Sequence, residues 1–331
     1  MSDYNCIEVN RSNGDIFTCF SSRTFRECTD DEVLVKSLYS SINYKDYLVL
    51  QGNPSLVRRF PRVPGTDVGG IVVESNNNNI PVGSYVLCTC FPLGSAIDGG
   101  FSEYVYLPHD WITVLPSKEY LYQSIMLGTA GFTALLAFNK FISIIDSDKP
   151  DIIISGPNSR FSYYLLSFLS SYCNSITLVG TSRHYDSINH FLPSSQFTKL
   201  NSMNLLPAKY HFGFDTYGGE VLSSMLKSLH FQGTLFTVGN LHDSNLSTSI
   251  LPFLLRGISL IGINAESSNL LTSSPFWIDS IDRLWLPRFK EQFEIVTLFD
   301  FFNLLSRTES DKLLPISQPS PSRRLLISFD D

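Results

Sequence analysis

The sequence predicts an α/β protein with an N-terminal part of short strands and turns, followed by a doubly wound, mostly parallel sheet. Three observations carry this. The 331 residues are 43% hydrophobic and only 17% charged, enough core for two folded domains and too apolar for a disordered chain. After Pro116 the texture changes, and helix-like and strand-like segments begin to alternate, as crossover units joining parallel strands require. One such unit can be read off directly between residues 151 and 179.

Before Pro116, residues 32–39 partly alternate and residues 69–73 form an apolar run, with prolines and glycines as punctuation. The four asparagines Asn76 to Asn79 sit between two strand-like segments and read as a loop tip. Residues 151–155 are β-branched and continuously apolar, a strand of the kind buried on both faces. The turn Gly156-Pro157-Asn158-Ser159-Arg160 must follow it. Phe161, Leu165, Phe168, Leu169 and Tyr172 then recur at three- and four-residue steps, one face of an amphipathic helix, and residues 175–179 return as a strand. The rhythm continues with a strand at 210–215, a helix at 220–229 and strands at 233–239 and 259–262. The tail 324–328 is strand-like and follows a proline-rich stretch, so it is expected to return and complete the first domain.

Charge narrows the function classes. The net charge of -7, with lysines and arginines scattered, gives no footprint for nucleic acid. The start Met1-Ser2-Asp3-Tyr4-Asn5-Cys6 has no basic leader, and no apolar run is read as approaching the roughly 18 residues of a spanning helix. Six cysteines without a CxxC pair read as reduced thiols. A cytoplasmic protein without membrane contact is the expectation.

Several segments, in order, resemble the quinone oxidoreductase branch of the medium-chain dehydrogenase/reductase superfamily, specifically its acryloyl-CoA reductase-like group. They are residues 41–46 (SINYKD), 60–70 (FPRVPGTDVGG), 99–104 (GGFSEY), 128–134 (GTAGFTA), 215–219 (DTYGG) and 252–257 (PFLLRG). The resemblance implies a GroES-like, mostly β catalytic domain from residues 1–120 and 266–331, and a Rossmann domain at 121–265. It also implies NADP(H) as cofactor, a small-molecule substrate with a conjugated carbonyl, and a homodimer.

Zinc-dependent relatives use a cysteine near the Asn43-Tyr44 position and a His-Glu pair where this chain has Thr66-Asp67. Catalytic zinc needs three protein ligands around an open position. The six histidines sit apart, so no metal is expected and reduction is favoured over alcohol oxidation. Without a metal, reduction of an activated carbon–carbon double bond in an enoyl thioester, enone or quinone needs a hydride and donors for the enolate that develops. Tyr44 and Asn43 suit that role, with Tyr44 the better candidate for orienting the nicotinamide or supplying a proton. The alternative for Tyr44 is a packed loop tyrosine, and Lys45 and Asp46 are weaker candidates for the same role or else a structural ion pair. Thr129 resembles a position near the nicotinamide, or else caps a helix.

The phosphate loop departs from the family pattern. Gly156 is kept, but the later glycines align with Ser159, Arg160 and Ser162, which puts side chains where backbone N–H groups approach a pyrophosphate. Ser159, Arg160, Phe161 and Ser162 therefore either contact the phosphates directly or block the cofactor. If they block it, the chain is a non-catalytic binding or structural relative. Past the second strand, Thr181, Ser182 and Arg183 stand where an NAD site places an acidic residue on the ribose, which favours NADP(H). Asn240 and Asn264 follow strand ends and are candidate cofactor contacts. Arg58 and Arg59 are candidates for an acyl-CoA phosphate, or else plain surface residues.

Overall fold

The computed structural model describes residues 3–146, 149–180, 196–197, 208–285, 287–307 and 324–329. In chain order the first elements are β1 (Tyr4–Ser12), β2 (Asp15–Arg23), β3 (Glu32–Ser41), α1 (Tyr44–Leu50), β4 (Val68–Ser75), β5 (Tyr85–Cys88), β6 (Tyr104–Pro108), β7 (Thr113–Leu115) and α2 (Lys118–Ile142). Then come β8 (Asp151–Ser155), α3 (Arg160–Leu169), β9 (Ser175–Val179), β10 (Gln196–Phe197), β11 (Tyr210–Asp215), α4 (Gly219–Lys227), β12 (Leu229–Thr237), α5 (Leu251–Arg256) and β13 (Ser259–Gly262). The last are α6 (Ser274–Leu284), β14 (Phe293–Thr297), α7 (Leu298–Arg307) and β15 (Arg324–Ser328).

The chain divides into two units, residues 1–129 with 266–331, and residues 130–265. In the first, β1 and β2 form an antiparallel hairpin, and a sheet runs β14-β15-β3-β4-β5-β7 with β6 also on β3. β3 is buried along nearly its whole length, with Val33 and Val35 packed among Val68, Val72, Val86, Val105 and Leu107, and each such side chain contributes roughly 1.5–3 kcal/mol. The C-terminal strand does return here. β15 pairs antiparallel with β3, Ile327 opposite Ser40, and parallel with β14.

In the second unit the sheet order is β10-β9-β8-β11-β12-β13, and the pairings are parallel. Ile152, Ile153 and Ile154 of β8 are fully buried, as a central parallel strand requires. The α4 helix ends before Leu229 because β12 begins there, four residues earlier than the sequence reading placed it.

Two expectations need correction. The first domain boundary lies not at 120/121 but at 129/130, inside α2. The helix breaks at Gly128 (φ 52°, ψ -157°), and its second half belongs to the parallel-sheet unit, where Phe141 meets Phe212 and Phe214 at 5.0 and 6.1 Å between ring centres. Moreover, α2 is long and apolar enough to pass for a membrane span, contrary to the reading of the sequence. Of its most apolar 18-residue window 61% is buried, so its apolar surface is spent inside the protein.

Candidate active site and phosphate loop

The polar centre of the first unit is Asp67, fully buried at the start of β4. Its Oδ2 accepts from the Ser41 hydroxyl at 2.6 Å, Asn43 Nδ2 at 2.8 Å and the Thr129 backbone N–H at 3.0 Å. Its Oδ1 accepts from the hydroxyls of Thr89 and Thr129. The Cys90 N–H then donates to Thr129 Oγ1 at 3.2 Å. Five donors from three separated segments thus converge on one carboxylate. Gly128 makes this possible: its φ is positive, and a Cβ there would stand 2.5 Å from Asp67 Oδ2.

A second carboxylate holds the adjoining loop. Asp46 Oδ1 accepts from the Thr66 N–H and hydroxyl at 2.7 and 2.6 Å and from the Gly65 N–H at 3.2 Å, while Oδ2 accepts from the Asn43 N–H at 2.7 Å. The last bond is half of a capping box at the start of α1. Burial pushes Asp46 up to about 6, against the pull of the Thr66 and Asn43 bonds. Its partners are therefore these backbone and hydroxyl donors, which corrects the expected pairing with Lys45. Cys90, beside Thr129, is pushed up to about 12 by burial and by the charge of Asp67, so it stays a thiol at neutral pH.

Of the sequence-predicted residues, this cluster unites Asn43 and Thr129. The Asn43 amide is spent on Asp67, which makes it a positioning group, in place of the enolate donor expected. Thr129 opens the second half of α2 and gives its hydroxyl to Asp67. Tyr44 is the next residue after Asn43 and is 50% exposed, its ring 6.2 Å from Tyr47; it is not a packed tyrosine. Arg58 and Arg59 are both exposed.

In the second unit, β8 ends in the turn at Gly156, which has φ 64°. A Cβ at Gly156 would lie 2.1 Å from Thr216 Oγ1, so this first glycine cannot be replaced without moving the turn. Asp215 at the end of β11 fixes the same corner: it accepts from the Ser155 hydroxyl at 2.7 Å and the Gly218 N–H at 2.8 Å, and burial raises its carboxyl above the usual range. Ser159 caps α3, accepting from the Ser162 N–H at 3.1 Å. Ser162 donates to the Gly156 carbonyl at 2.9 Å. Ser162 is fully buried and Phe161 is 7% exposed, so these two side chains belong to the core, a correction to their expected contact with a cofactor. Ser159 and Arg160 remain half-buried at the loop. Asn240 and Asn264 are exposed, after β12 and β13. Thr181, Ser182 and Arg183 lie outside the described residues.

Sequence reasoning noticed Thr66-Asp67 only as a place without zinc ligands. The signal that would have found Asp67 is the ring of hydroxyl residues at 41, 89 and 129, which are distant in the chain.

Residues 29–117 match the alcohol dehydrogenase GroES-like domain. A Bacillus subtilis (strain 168) protein named as a quinone oxidoreductase, YhfP, is 27% identical over 281 residues, 83% of this chain and 85% of its own. Its crystal structure with NAD bound covers 99% of this chain and 100% of its own at a TM-score of 0.87 and 24% identity. Over most of its length the chain is thus similar to a protein named as a quinone oxidoreductase, and its residues 29–117 form a GroES-like domain. The acrylyl-CoA reductase AcuI of Ruegeria pomeroyi is 29% identical over 71% of this chain and 73% of its own. The YhdH oxidoreductase of Salmonella enterica, crystallised with NADP, has a TM-score of 0.83 at 22% identity, covering 98% of this chain and 100% of that one. The chain is an oxidoreductase with a GroES-like domain and a Rossmann-like parallel-sheet domain.

Proposed function

We propose that this oxidoreductase uses NADPH to reduce an activated carbon–carbon double bond in an enoyl thioester, enone or quinone, without zinc. The observation that carries the reading is the Asp67 cluster. Both carboxylate oxygens are occupied by hydrogen-bond donors, in the segment where zinc-dependent relatives keep metal ligands. Asp67 here clamps Asn43 to Thr129 and leaves the neighbouring Tyr44 phenol half exposed. The names and bound nucleotides of the relatives support the cofactor and the substrate class.

The loop fits a dinucleotide. Gly156 keeps the tight turn, α3 presents its N-terminus, where anions are favoured, and Arg160 stands in its first turn. Asn158 Oδ1 is buried without a partner, an acceptor suited to a sugar hydroxyl. NADPH, when bound, supplies the hydride. Tyr44 donates a hydrogen bond to the substrate carbonyl oxygen as charge builds on it, the step that polarisation by zinc performs elsewhere. Asn43, Asp46 and Asp67 hold the Tyr44 loop in place.

Titration with NADPH and, separately, NADH, followed by reduced-nicotinamide fluorescence, tests the cofactor. Saturation with NADPH at lower concentration is expected; no binding of either would sink the reading and leave a fold without the reaction. Tyr44→Phe should lower kcat on enone or enoyl-CoA substrates by about 100-fold with the affinity for NADPH unchanged. Full activity in that variant would remove Tyr44 from the chemistry.

The working assembly in this proposal is a cytoplasmic homodimer. The six cysteines are all free thiols, which suits a reducing compartment. β13 ends its sheet, and Ile250, Leu251, Leu254 and Leu255 around α5 are 65, 55, 70 and 69% exposed, an apolar surface of the kind that marks an interface. Leu254→Asp should convert a dimer into a monomer by light scattering; an unchanged mass would place the contact elsewhere.

A further inference from the structure

The parallel sheet grows from β8 to β9 and β10 on one side and then to β11 on the other. In a doubly wound sheet the ligand crevice opens at such a reversal, outside the carboxyl ends of the strands. Here β8 runs out at Gly156, β9 at Gly180 and β11 at Thr216. Gly156 and Gly180 carry no side chain and lie at neighbouring strand ends, tied by the Gly156 N–H to the Val179 carbonyl at 3.0 Å. Two bare glycines at this place leave room for the adenosine half of a dinucleotide, whose ribose lies at the end of the second strand in this fold.

Tyr217 takes that room. A Cβ on Gly156 would stand 3.1 Å from Tyr217 Cε1, and one on Gly180 would stand 3.2 Å from Tyr217 Oη and 2.7 Å from Pro157 Cδ. One tyrosine side chain therefore reaches from the end of β11 over Gly156 to the end of β9. The loop after β12 holds it there. The His242 and Asp243 N–H groups donate to the Tyr217 carbonyl at 3.0 and 3.2 Å, and the His242 ring stands edge to face with the phenol ring at 4.4 Å. Tyr217 is half-buried and His242 exposed. The ring thus has solvent on one side and can turn out of the slot without opening the core.

We propose that Tyr217 is a plug in the adenosine slot: ring and nucleotide exclude one another, and NADPH binds only the fraction of molecules whose ring is turned out. The inference rests on the reading of this loop as a nucleotide site. Apparent affinity is the intrinsic affinity reduced by the open fraction, so removing the ring is a gain, the reverse of deleting a binding residue. Titration of the full chain with NADPH, and in parallel with 5′-AMP, which carries the adenosine end alone, tests it. Tyr217→Ala should bind both about tenfold more tightly than wild type, or ~1.4 kcal/mol, by the same factor because the slot is common to both. Tyr217→Phe keeps the ring and should bind both as wild type does. His242→Ala removes the edge contact and should gain about threefold; it decides the matter if Tyr217→Ala does not fold. Unchanged or weaker binding in Tyr217→Ala, with saturable NADPH binding by wild type, would overturn the plug and leave the NADPH reading standing. So would a loss of NADPH but not NADH affinity in Tyr217→Phe, which would make the phenol a contact of the 2′-phosphate. Saturation by neither nucleotide in wild type or variants would remove the plug and the cofactor reading together.

Discussion

Two turns in this molecule depend on a glycine with positive φ, Gly128 and Gly156, and each leads into a helix whose opening is closed in a different way. After Gly128 the closure is a charged acceptor, Asp67, buried and receiving five donors, among them the Thr129 N–H. After Gly156 it is a pair of neutral hydroxyls, Ser159 on the Ser162 N–H and Ser162 on the Gly156 carbonyl. Both answer the same need, since the first N–H groups of a helix have no partner within it. The first closure brings several distant segments to one carboxylate. The second is made from its own loop and can change without disturbing the sheet.

The largest effect is therefore expected at Asp67. Asp67→Ala would leave the donors of Ser41, Asn43, Thr89 and Thr129 facing one another in the core, at a cost of about 4 kcal/mol or more. Urea unfolding checks this. A loss below about 1 kcal/mol would mean that water replaces the carboxylate and that the contrast between the closures is false.

Next comes Asp46, whose folded pKa of about 6 exceeds the ordinary 3.8. A carboxyl raised in the folded state binds more protons there than in the unfolded chain between these two values, so its contribution to stability is present below pH 4 and is lost as pH rises through about 6. The two-unit shift corresponds to about 3 kcal/mol. Wild type should thus lose stability relative to Asp46→Asn as pH rises from about 4 to about 6. Parallel pH–stability curves would show that the Thr66 and Asn43 bonds offset the burial completely.

The contrast also explains what could be read in advance. Residues 151–155, the helix that follows and the strand at 175–179 were legible because each is a local pattern, with its period written into consecutive residues. The return of Arg324–Ser328 was legible as a strand, but its neighbours were not, because pairing with β3 and β14 depends on contacts some 290 and 30 residues away in the chain. Asn43, Tyr44 and Thr129 could be singled out by resemblance. Asp67 could not be recognised as the hub, since its donors lie at residues 41, 43, 89 and 129 and no local period connects them. The boundary was missed for a related reason: only the close approach of Gly128 to Asp67, 61 residues earlier in the chain, shows why α2 breaks there. Phe161 and Ser162 were misread because the loop motif was aligned as a string, while α3 turns both inward.

The smallest effect sharpens the comparison most, because it separates folding from binding. Replacing an N-cap serine by glycine costs a few tenths of a kcal/mol, so Ser159→Gly should barely move the melting temperature. The substitution releases the Ser162 N–H from its cap and removes a side chain from the loop. If NADPH sits at the start of α3, that N–H becomes available to a phosphate oxygen, and affinity should rise by about tenfold, or ~1.4 kcal/mol. In Asp67→Asn, by contrast, the new amide would face the donors of Ser41, Asn43 and Thr129, and stability should fall with no gain in cofactor binding. Unchanged NADPH affinity in Ser159→Gly would move the limit on cofactor access from the hydroxyl closure to the side chain of Arg160, where Arg160→Gly would then have to produce the gain.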